Sequence, residues 1–452
     1  MQDRFPAMNA RAIAKRIALG VILLGPQTLL ASVPGSQAHE DPVSQIALPL
    51  VIILLVAKLG GELAVRVGQP AVLGELLGGV LVGNLSLLGF HSIDGWRTNP
   101  SLDLLAGLGV LILLFEVGLE STVGQMLKVG FSSLLVATLG VITPFLLGWG
   151  VGAWLLPGHS IYVHVFLGAT LTATSVGITA RVLNDLRQSQ SAAARIILGA
   201  AVIDDVLGLV VLAVVSGMIA AANGGRSMTS VDILIMIAKA VGFLFGSLFL
   251  GVLWSRRLFN LASRLRAHGV LLATGLSFCF LLSWISGQIG LAPIVGAFAA
   301  GLILENVHYR DFTDRGEHGL EDLIHPISSF LVPVFFVVMG LRTDLRSFLQ
   351  PGVFGLAIAL TLAAILGKQA CSLGVLGKGV DRLTVGLGMI PRGEVGLIFA
   401  NVGLALSFGG KPIIDGSTFS AVVVMVMITT MATPPALKWS LARKHVLQGT
   451  GR

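Results

Sequence analysis

The stretch that decides the fold is Ile196–Gly225, with the sequence IILGAAVIDDVLGLVVLAVVSGMIAAANGG. It is long enough to cross a bilayer, because a membrane-spanning helix needs about 20 apolar residues. Its only ionisable residues are the adjacent Asp204 and Asp205, which lie about 14 Å beyond Arg195 at the rise of an α-helix. A carboxylate at that depth costs roughly 3 kcal/mol even on the more lenient scale. Two of them predict a site for protons and cations within the membrane.

The composition is that of an integral membrane protein. Of the 452 residues, 54% are hydrophobic and 12% are charged, whereas soluble domains carry about 25% charged residues. The net charge of +7 does not indicate nucleic-acid binding, because the basic residues lie in short loops between apolar runs, where they orient the protein. Both cysteines, Cys279 and Cys371, fall inside apolar runs. We therefore expect no disulfide, no metal bound by cysteine and no cofactor.

Residues 1–38 have the form of a signal peptide. A basic start precedes the apolar run 17–31, and the small residues Ser36 and Ala38 suit a cut directly after them. The alternative is an additional N-terminal membrane helix. In both cases the segment that follows begins outside the cell.

Hydropathy predicts thirteen further spans. They are roughly 43–65, 71–89, 102–119, 129–156, 161–182, 196–222, 231–254, 270–287, 291–305, 323–341, 352–376, 383–408 and 416–437. If the first span starts outside, most Lys and Arg residues fall in cytoplasmic loops, as the positive-inside rule requires. This pattern predicts a multi-pass protein of the bacterial inner membrane, with a periplasmic N-terminus and a short cytoplasmic tail, 438–452.

An internal repeat organises these spans. VGQPAVLGELLGGVLVGN (67–84) resembles IGLAPIVGAFAAGLILEN (289–306), and each matched residue lies 222 positions after its partner. Seven spans separate the matching positions, so the two copies have opposite orientations in the membrane. The prediction is two inverted repeats of six spans, 43–222 and 270–437, joined by the linker span 231–254. Many secondary transporters have this architecture.

Transporters with inverted repeats form their sites at interrupted helices in matching positions. The fifth span carries TLTATSVGITARV (170–182), and its counterpart carries MIPRGEVGLIFANVG (389–403). Pro and Gly free backbone polar groups, which are tolerated at depth only where they line protein or water. The alternative for the fifth span is that its Thr and Ser residues bond only to their own helix. The expected crossover of two broken helices is formed by Thr174, Ser175, Arg392 and Glu394.

Lys368 is the one ionisable residue of the span 352–376. It lies about 15 Å before Lys378, at the same depth as the two aspartates. Pairing is the usual remedy for a charge at this depth, so we expect Lys368 to pair with one aspartate. The alternative is a lysine that extends to the membrane surface. Adjacent residues on a helix point about 100° apart. One aspartate can therefore face the lysine while the other faces a water-filled cavity. The spacing leaves open which of Asp204 and Asp205 faces the lysine.

Four motifs together resemble a known family. They are GQPAVLGELLGGVLVGN, TATSVGITARVLNDL, VIDDVLGLVVLAV and PRGEVGLIFA. In this order and spacing, over about residues 43–440, they are similar to the monovalent cation:proton antiporter superfamily, specifically the bacterial Na⁺/H⁺ antiporters of its second branch. The resemblance implies a homodimer in which a core bundle moves against a dimerisation bundle and carries the ion in elevator fashion. It also implies that Asp205 binds the Na⁺ and the proton, that Asp204 pairs with Lys368, and that Thr174 is a further Na⁺ ligand.

The resemblance also bears on the transported ion. An Asp-Asp pair with a lysine is similar to the electrogenic Na⁺/H⁺ members, so we expect Na⁺ and H⁺ as substrates and Li⁺ as a second cation. Potassium efflux members carry Gln-Asp and commonly append a nucleotide-binding domain, which we do not expect here. A K⁺/H⁺ antiporter of the same superfamily is the alternative.

Two other classes of protein fit less well. An intramembrane aspartyl protease also uses two membrane aspartates, but it needs them on separate helices that converge on one water. Adjacent aspartates diverge, and Lys368 would have no role. A channel does not explain an inverted repeat around one central charged site. We therefore expect a secondary transporter and not an enzyme.

Overall fold

The computed structural model describes residues 42–120, 130–185, 188, 191–224, 230–265, 267, 269–304, 318–376 and 380–449. The predicted signal peptide lies outside the described residues, as does 305–317, which includes Asn306 of the repeat. The chain forms two compact units, Met1–Gln45 and Ile46–Arg452. All contacts discussed below lie within the second unit.

The described chain is helical apart from one small hairpin. The helices are α1 Pro42–Arg66, α2 Ala71–Gly83, α3 Pro100–Glu120, α4 Phe131–Leu155, α5 Ile161–Thr170, α6 Val176–Asp185, α7 Ala192–Asn223, α8 Ser230–Ala262, α9 Val270–Gln288, α10 Pro293–Ile303, α11 Leu320–Leu341, α12 Pro351–Ala370, α13 Arg382–Gly388, α14 Gly393–Ala405 and α15 Gly416–Gly449. The antiparallel strands are β1 Ser407–Phe408 and β2 Lys411–Pro412, with Phe408 opposite Lys411.

Each of the thirteen predicted spans contains at least one helix. Within the described ranges, nine helices are long and apolar enough to cross a membrane, and the bent pair α13–α14 makes a tenth. The helices α2, α5 and α10 are apolar but shorter. The predicted span 71–89 is longer than α2 because apolar residues continue into the 3₁₀ turn Leu85–Leu88. The prediction of an all-α, multi-pass membrane protein is confirmed at the level of nine to ten spanning helices.

The helices pack in two groups. In the first group, α1 packs on α2, α11 packs on α2 and α3, and α10 packs on α3 and α9. We call these six helices, α1, α2, α3, α9, α10 and α11, the frame helices. In the second, α4 packs on α5, α7 and α12, while α15 packs on α12 and α14; with α6 and α13 we call these the crossing helices. Packing between the groups, such as that of α11 on α14, is sparse by comparison. The remaining helix, α8, packs on α7, α9 and α10 and so contacts both groups.

Glycines bring the frame helices into backbone contact. A Cβ added at Gly79 of α2 would overlap the carbonyl oxygen of Val337, and a Cβ added at Gly301 of α10 would overlap that of Phe115. Residues 79 and 301 are 222 positions apart, and so are residues 115 and 337. One contact is therefore a copy of the other between the two repeated segments.

The same shift relates further contacts of the frame. Gly74 meets the backbone of Gly60, and 222 positions later Gly296 meets the backbone of Leu282. Gly109 of α3 meets the carbonyl oxygen of residue 331, which is its own counterpart in the second repeat. A contact between a residue and its own counterpart is what a local two-fold relation produces.

Candidate functional site

Both predicted breaks are present, and they touch each other. The first lies between α5, which ends at Thr170, and α6; the second lies between α13 and α14, which are bent by 46°. The backbone N–H of Ser175 donates to the carbonyl oxygen of Pro391 at 2.8 Å, and the Thr179 hydroxyl donates to that of Gly388 at 2.6 Å. These bonds supply partners for backbone groups that the interrupted helices leave free, as burial requires.

Side chains join the two breaks as well. Ser175 Oγ donates to Glu394 Oε2 at 2.8 Å. These two residues lie opposite each other when Val176-Gly177 of the first break is matched with Val395-Gly396 of the second. A Cβ added at Gly393 would lie only 2.6 Å from both Cβ and Oγ of Ser175, so the approach requires glycine there. Thr174 Oγ1 donates to the carbonyl oxygen of Met389 at 3.4 Å, which is long for a hydroxyl hydrogen bond.

Arg392 is fully buried at the start of α14. Its Nη1 donates to the carbonyl oxygen of Ala173 at 2.5 Å, and its Nη2 donates to that of Ala364 at 3.3 Å. Its guanidinium therefore ties the first break and α12 to the second break. Its Nε has no hydrogen-bond partner within the described chain. A buried charge needs such partners, because an unpaired one is very costly to remove from water.

Asp204 of α7 and Lys368 of α12 form a completely buried ion pair. Lys368 Nζ donates to Asp204 Oδ1 at 2.9 Å and to Oδ2 at 3.1 Å, and both side chains have an exposed fraction of 0%. The structure thus brings Lys368 to the first of the two aspartates. Gly140 of α4 leaves room for the pair, since an added Cβ would lie 3.3 Å from Nζ and 3.6 Å from Asp204 Oδ1.

Asp205 has different surroundings from its neighbour. Its side chain is 9% exposed, and its Oδ1 is buried without a hydrogen-bond partner among the described residues. Gly208, one turn further along α7, lies beside the first break, where an added Cβ would be 3.8 Å from Thr172 Oγ1. Buried polar oxygens are nearly always bonded, so the unbonded Oδ1 distinguishes Asp205 from Asp204.

A second polar cluster joins the frame helices to the crossing helices, and no sequence pattern predicted it. Arg342, directly after α11, donates through Nη1 to Asn401 Oδ1 of α14 at 2.7 Å and through Nη2 to Asp103 of α3. Two residues later, the backbone N–H of Asp344 donates to Ser420 Oγ of α15 at 3.0 Å. We call Arg342–Asp344 the strap. A loop arginine has no periodicity that predicts such a bridge.

The comparison with known families agrees with this architecture. The family described as "Sodium/hydrogen exchanger, transmembrane" matches residues 51–443. This range contains all of α2 to α14 and most of α1 and α15. The chain belongs to the sodium/hydrogen exchanger family. The superfamily that the four motifs predicted is thereby confirmed.

Two antiporters to which the chain is similar align with it over most of their length. The chain is 41% identical over 429 residues to the high-affinity Na⁺/H⁺ antiporter NhaS3 of Synechocystis, an alignment that covers 87% of this chain and 89% of that protein. It is 34% identical to the Na⁺/H⁺-K⁺ antiporter GerN of Bacillus cereus, covering 87% and 96%. Its fold is similar to that of the sodium proton antiporter MjNhaP1 from Methanocaldococcus jannaschii at pH 8, with a TM-score of 0.66 at 18% identity, covering 91% of this chain and 100% of that one.

Proposed function

We propose that this protein exchanges Na⁺, and also Li⁺, for H⁺ across the bacterial inner membrane. As a member of the sodium/hydrogen exchanger family it is a secondary transporter rather than an enzyme. The observation that carries this proposal is the buried carboxylate of Asp205, whose Oδ1 has no hydrogen-bond partner among the described residues, next to Asp204, which is already paired with Lys368.

Asp204 and Asp205 have different roles in this proposal. Lys368 neutralises Asp204, so the ion pair stays in place without a transported ion. Within the described part of the chain no cationic side chain contacts Asp205, and its carboxylate accepts either a proton or a small cation. Hard oxygen ligands suit Na⁺ and Li⁺ in the same way that they suit other hard cations. The competition of the cation and the proton for one carboxylate couples their opposite movements.

Thr174 supplies a second ligand for Na⁺ in this proposal. Its hydroxyl makes only a long hydrogen bond, which a bound cation replaces at little cost. The bond between Ser175 and Glu394 and the contacts of Arg392 with backbone carbonyls hold the two breaks together around it. These residues position the site, while Asp205 carries the charge that exchanges.

We infer two inverted repeats, 43–222 and 270–437, with 231–254 as the linker. The contacts of the frame that recur after 222 positions support this layout. In the crossing helices, Ser175 contacts Glu394 and Ala173 contacts Arg392, and each pair is 219 positions apart. In both groups, residues of one repeat contact their counterparts in the other. These contacts support a single two-fold relation between the repeats, and this relation agrees with the thirteen spans predicted from the sequence.

We propose an elevator mechanism in which the crossing helices move as a unit against the frame helices. The sparse packing between the two groups supports this division, because a sliding surface cannot interlock as the frame does. A homodimer formed through the frame helices would hold them fixed in the membrane.

The excess of Lys and Arg in alternate loops supports a periplasmic N-terminus and a cytoplasmic C-terminus. With this orientation the strap lies at the periplasmic end.

The transported cation is tested in proteoliposomes that contain the purified protein and a proton gradient, acid inside. Addition of NaCl or LiCl outside is expected to dissipate the gradient, measured with a fluorescent pH probe, and KCl is expected to do so less effectively. No dissipation by any of the three salts would refute the antiport. Repeating the assay with the membrane potential clamped tests electrogenicity, since an electrogenic exchange changes in rate and an electroneutral one does not.

A K⁺/H⁺ antiporter is the second candidate. The specific observation in its favour is the similarity to GerN, whose name includes both Na⁺ and K⁺. The same assay separates the two proposals, because KCl would then dissipate the gradient at least as effectively as NaCl. An aspartyl protease needs two free aspartates, whereas Asp204 is paired with Lys368.

A further inference from the structure

A cavity of about 510 Å³ lies between α8 and α9, apart from the residues of the transport site. Phe243 and Trp254 of α8 line it together with Phe278 and Leu282 of α9. The hydroxyl of Ser247 also lines it, but this hydroxyl already donates to a backbone carbonyl oxygen of α8 at 2.9 Å. The cavity therefore offers a ligand mainly apolar contacts, which suit a hydrocarbon chain.

The part of α8 that lines the cavity has the length of one leaflet of the membrane. Trp254, at one end of the cavity, is 70% exposed, and tryptophan is enriched at membrane surfaces. The apolar run of α8 ends there, because two arginines follow within three residues. Gly242, at the other end, lies about 18 Å away along the helix, close to the roughly 15 Å of one leaflet's hydrocarbon. With the orientation proposed above, Trp254 is at the cytoplasmic surface and the cavity lies in the cytoplasmic leaflet.

An arginine stands at the cytoplasmic end of this cavity. Arg257 of α8 is exposed, and within the described chain its guanidinium has neither a hydrogen-bond acceptor nor an acidic partner. It follows Trp254 by three residues, so the two side chains share one face of the helix. Side chains on a helix lean toward its N-terminus, so the guanidinium extends back toward Trp254 and the end of the cavity.

We propose that α8 and α9 form a binding site for one anionic phospholipid of the cytoplasmic leaflet, with its phosphate on Arg257 and one acyl chain in the cavity. Arg257 lies about 4.5 Å beyond Trp254, on the side away from Gly242, so the phosphate is at the surface of the same leaflet that the chain enters. The guanidinium gains charge-assisted hydrogen bonds to the phosphate, and its planar fork suits two of them. This site does not depend on which cation is transported.

The test uses the full-length protein in detergent micelles. Native mass spectrometry and thermal unfolding are measured with added phosphatidylglycerol or with phosphatidylcholine of the same acyl chains. Phosphatidylglycerol is expected to bind more tightly and to raise the Tm further. Arg257→Gln is expected to bind phosphatidylglycerol about fivefold more weakly, the loss expected for one basic residue near anionic lipid. Arg257→Lys keeps the charge and should keep most of the preference for phosphatidylglycerol.

A second variant tests the cavity itself. A Cβ added at Gly246 meets open space, and Gly246 lines the cavity, so the side chain of Gly246→Leu occupies part of it. This variant is expected to weaken binding of both lipids. The controls are Arg195→Gln, which removes an exposed arginine near the start of α7, and Gly355→Leu, which adds a side chain in open space on α12. Both controls should bind the two lipids as the unaltered protein does.

Two results would overturn the proposal. If Arg257→Gln keeps the full preference for phosphatidylglycerol, the phosphate does not bind there. If Gly246→Leu leaves the binding of both lipids unchanged, no acyl chain occupies the cavity; conversion of a dimer to a monomer in the same variant would then assign the cavity to a second copy of the chain.

Discussion

The frame helices and the crossing helices are packed by opposite means. In the frame, glycines such as Gly79 and Gly301 bring backbone against backbone, and the contacts recur after 222 positions. In the crossing helices, two helices are broken, and Arg392, Lys368 and Asp204 are buried with polar partners. The frame gains stability from this close contact. The crossing helices lack regular backbone hydrogen bonds at two breaks and bury charged side chains near them. The crossing helices thus carry the candidate site, and the frame helices support them.

The sharpest test of this division is Asp205→Asn. Exchange in proteoliposomes is expected to fall to the background rate, because an amide neither takes up a proton nor offers a charged ligand to a cation. The protein should still be made and purified in the same amount, since Oδ1 of Asp205 makes no hydrogen bond within the described chain. The matched control is Asp94→Asn, which removes an exposed carboxylate that contacts His91. Retained exchange in Asp205→Asn would refute its role as the carrier.

Lys368→Gln tests how the crossing helices tolerate their charges. It leaves Asp204 buried without a cation, and cutting one side of a buried pair costs about 3–5 kcal/mol in the free energy of unfolding. A marked fall in the Tm is therefore expected. The double variant Lys368→Gln/Asp204→Asn removes both charges and is expected to recover part of the loss, which gives the coupling energy of the pair. An unchanged Tm in the single variant would mean that the pair contributes nothing to stability.

Gly301→Ala tests the frame in the same way. The added methyl group overlaps the carbonyl oxygen of Phe115, and overpacking of this kind costs about 1–3 kcal/mol. Gly79→Ala should cost a similar amount, because its contact with Val337 is the copy of that contact. Gly107→Ala on α3 is the control, since its added Cβ meets open space. Unequal losses at residues 79 and 301, measured as changes in Tm, would weaken the case for a repeated frame.

Asn401→Ala tests the strap between the two groups and should have the smallest effect on stability. It removes the bond from Arg342 to α14 and leaves that to Asp103 in place. A partly exposed bond of this kind contributes about 1 kcal/mol, so the balance between the two orientations of the carrier shifts about fivefold. The expected readout is a change of up to that size in apparent Na⁺ affinity, measured from each side of the vesicle.

The control for the strap is Ser86→Ala. Its hydroxyl accepts a bond from Arg346 at 3.2 Å, and both residues flank frame helices. This contact stays within one group, so its loss should leave the apparent Na⁺ affinity unchanged on both sides. Equal effects of the two variants would mean that the strap has no special relation to movement.

The sequence was sufficient to predict the class of protein, the two breaks and the pairing of Lys368. Charges inside apolar runs are rare because they are costly, so Asp204, Asp205 and Lys368 were prominent by contrast alone. The breaks were predicted because Pro391, Gly393 and the Thr-Ser run near residue 174 cannot all sit inside regular helices.

Other features depend on geometry that a pattern does not contain. Which aspartate faces Lys368 follows from the rotation of α7, and a turn of 100° would exchange them; only the family resemblance favoured Asp204. In the sequence, nothing distinguishes Gly140 from other glycines of apolar helices. It lies close to the ion pair because α4 packs on α7 and α12.

The repeat makes the backbone nearly symmetric, but the strap has no equivalent in the other copy. The counterparts of Arg342 and Asp103, 222 positions away, are Glu120 and His325. Among the described residues, the electrostatic neighbours of Glu120 are Glu116, Glu321 and Glu394, all of them acidic. Hydrogen bonds and an ion pair thus join the two groups of helices at one end, while the described neighbours at the corresponding end repel one another. In the proposed cycle the two orientations of the carrier therefore differ in free energy, and an idle carrier favours one of them.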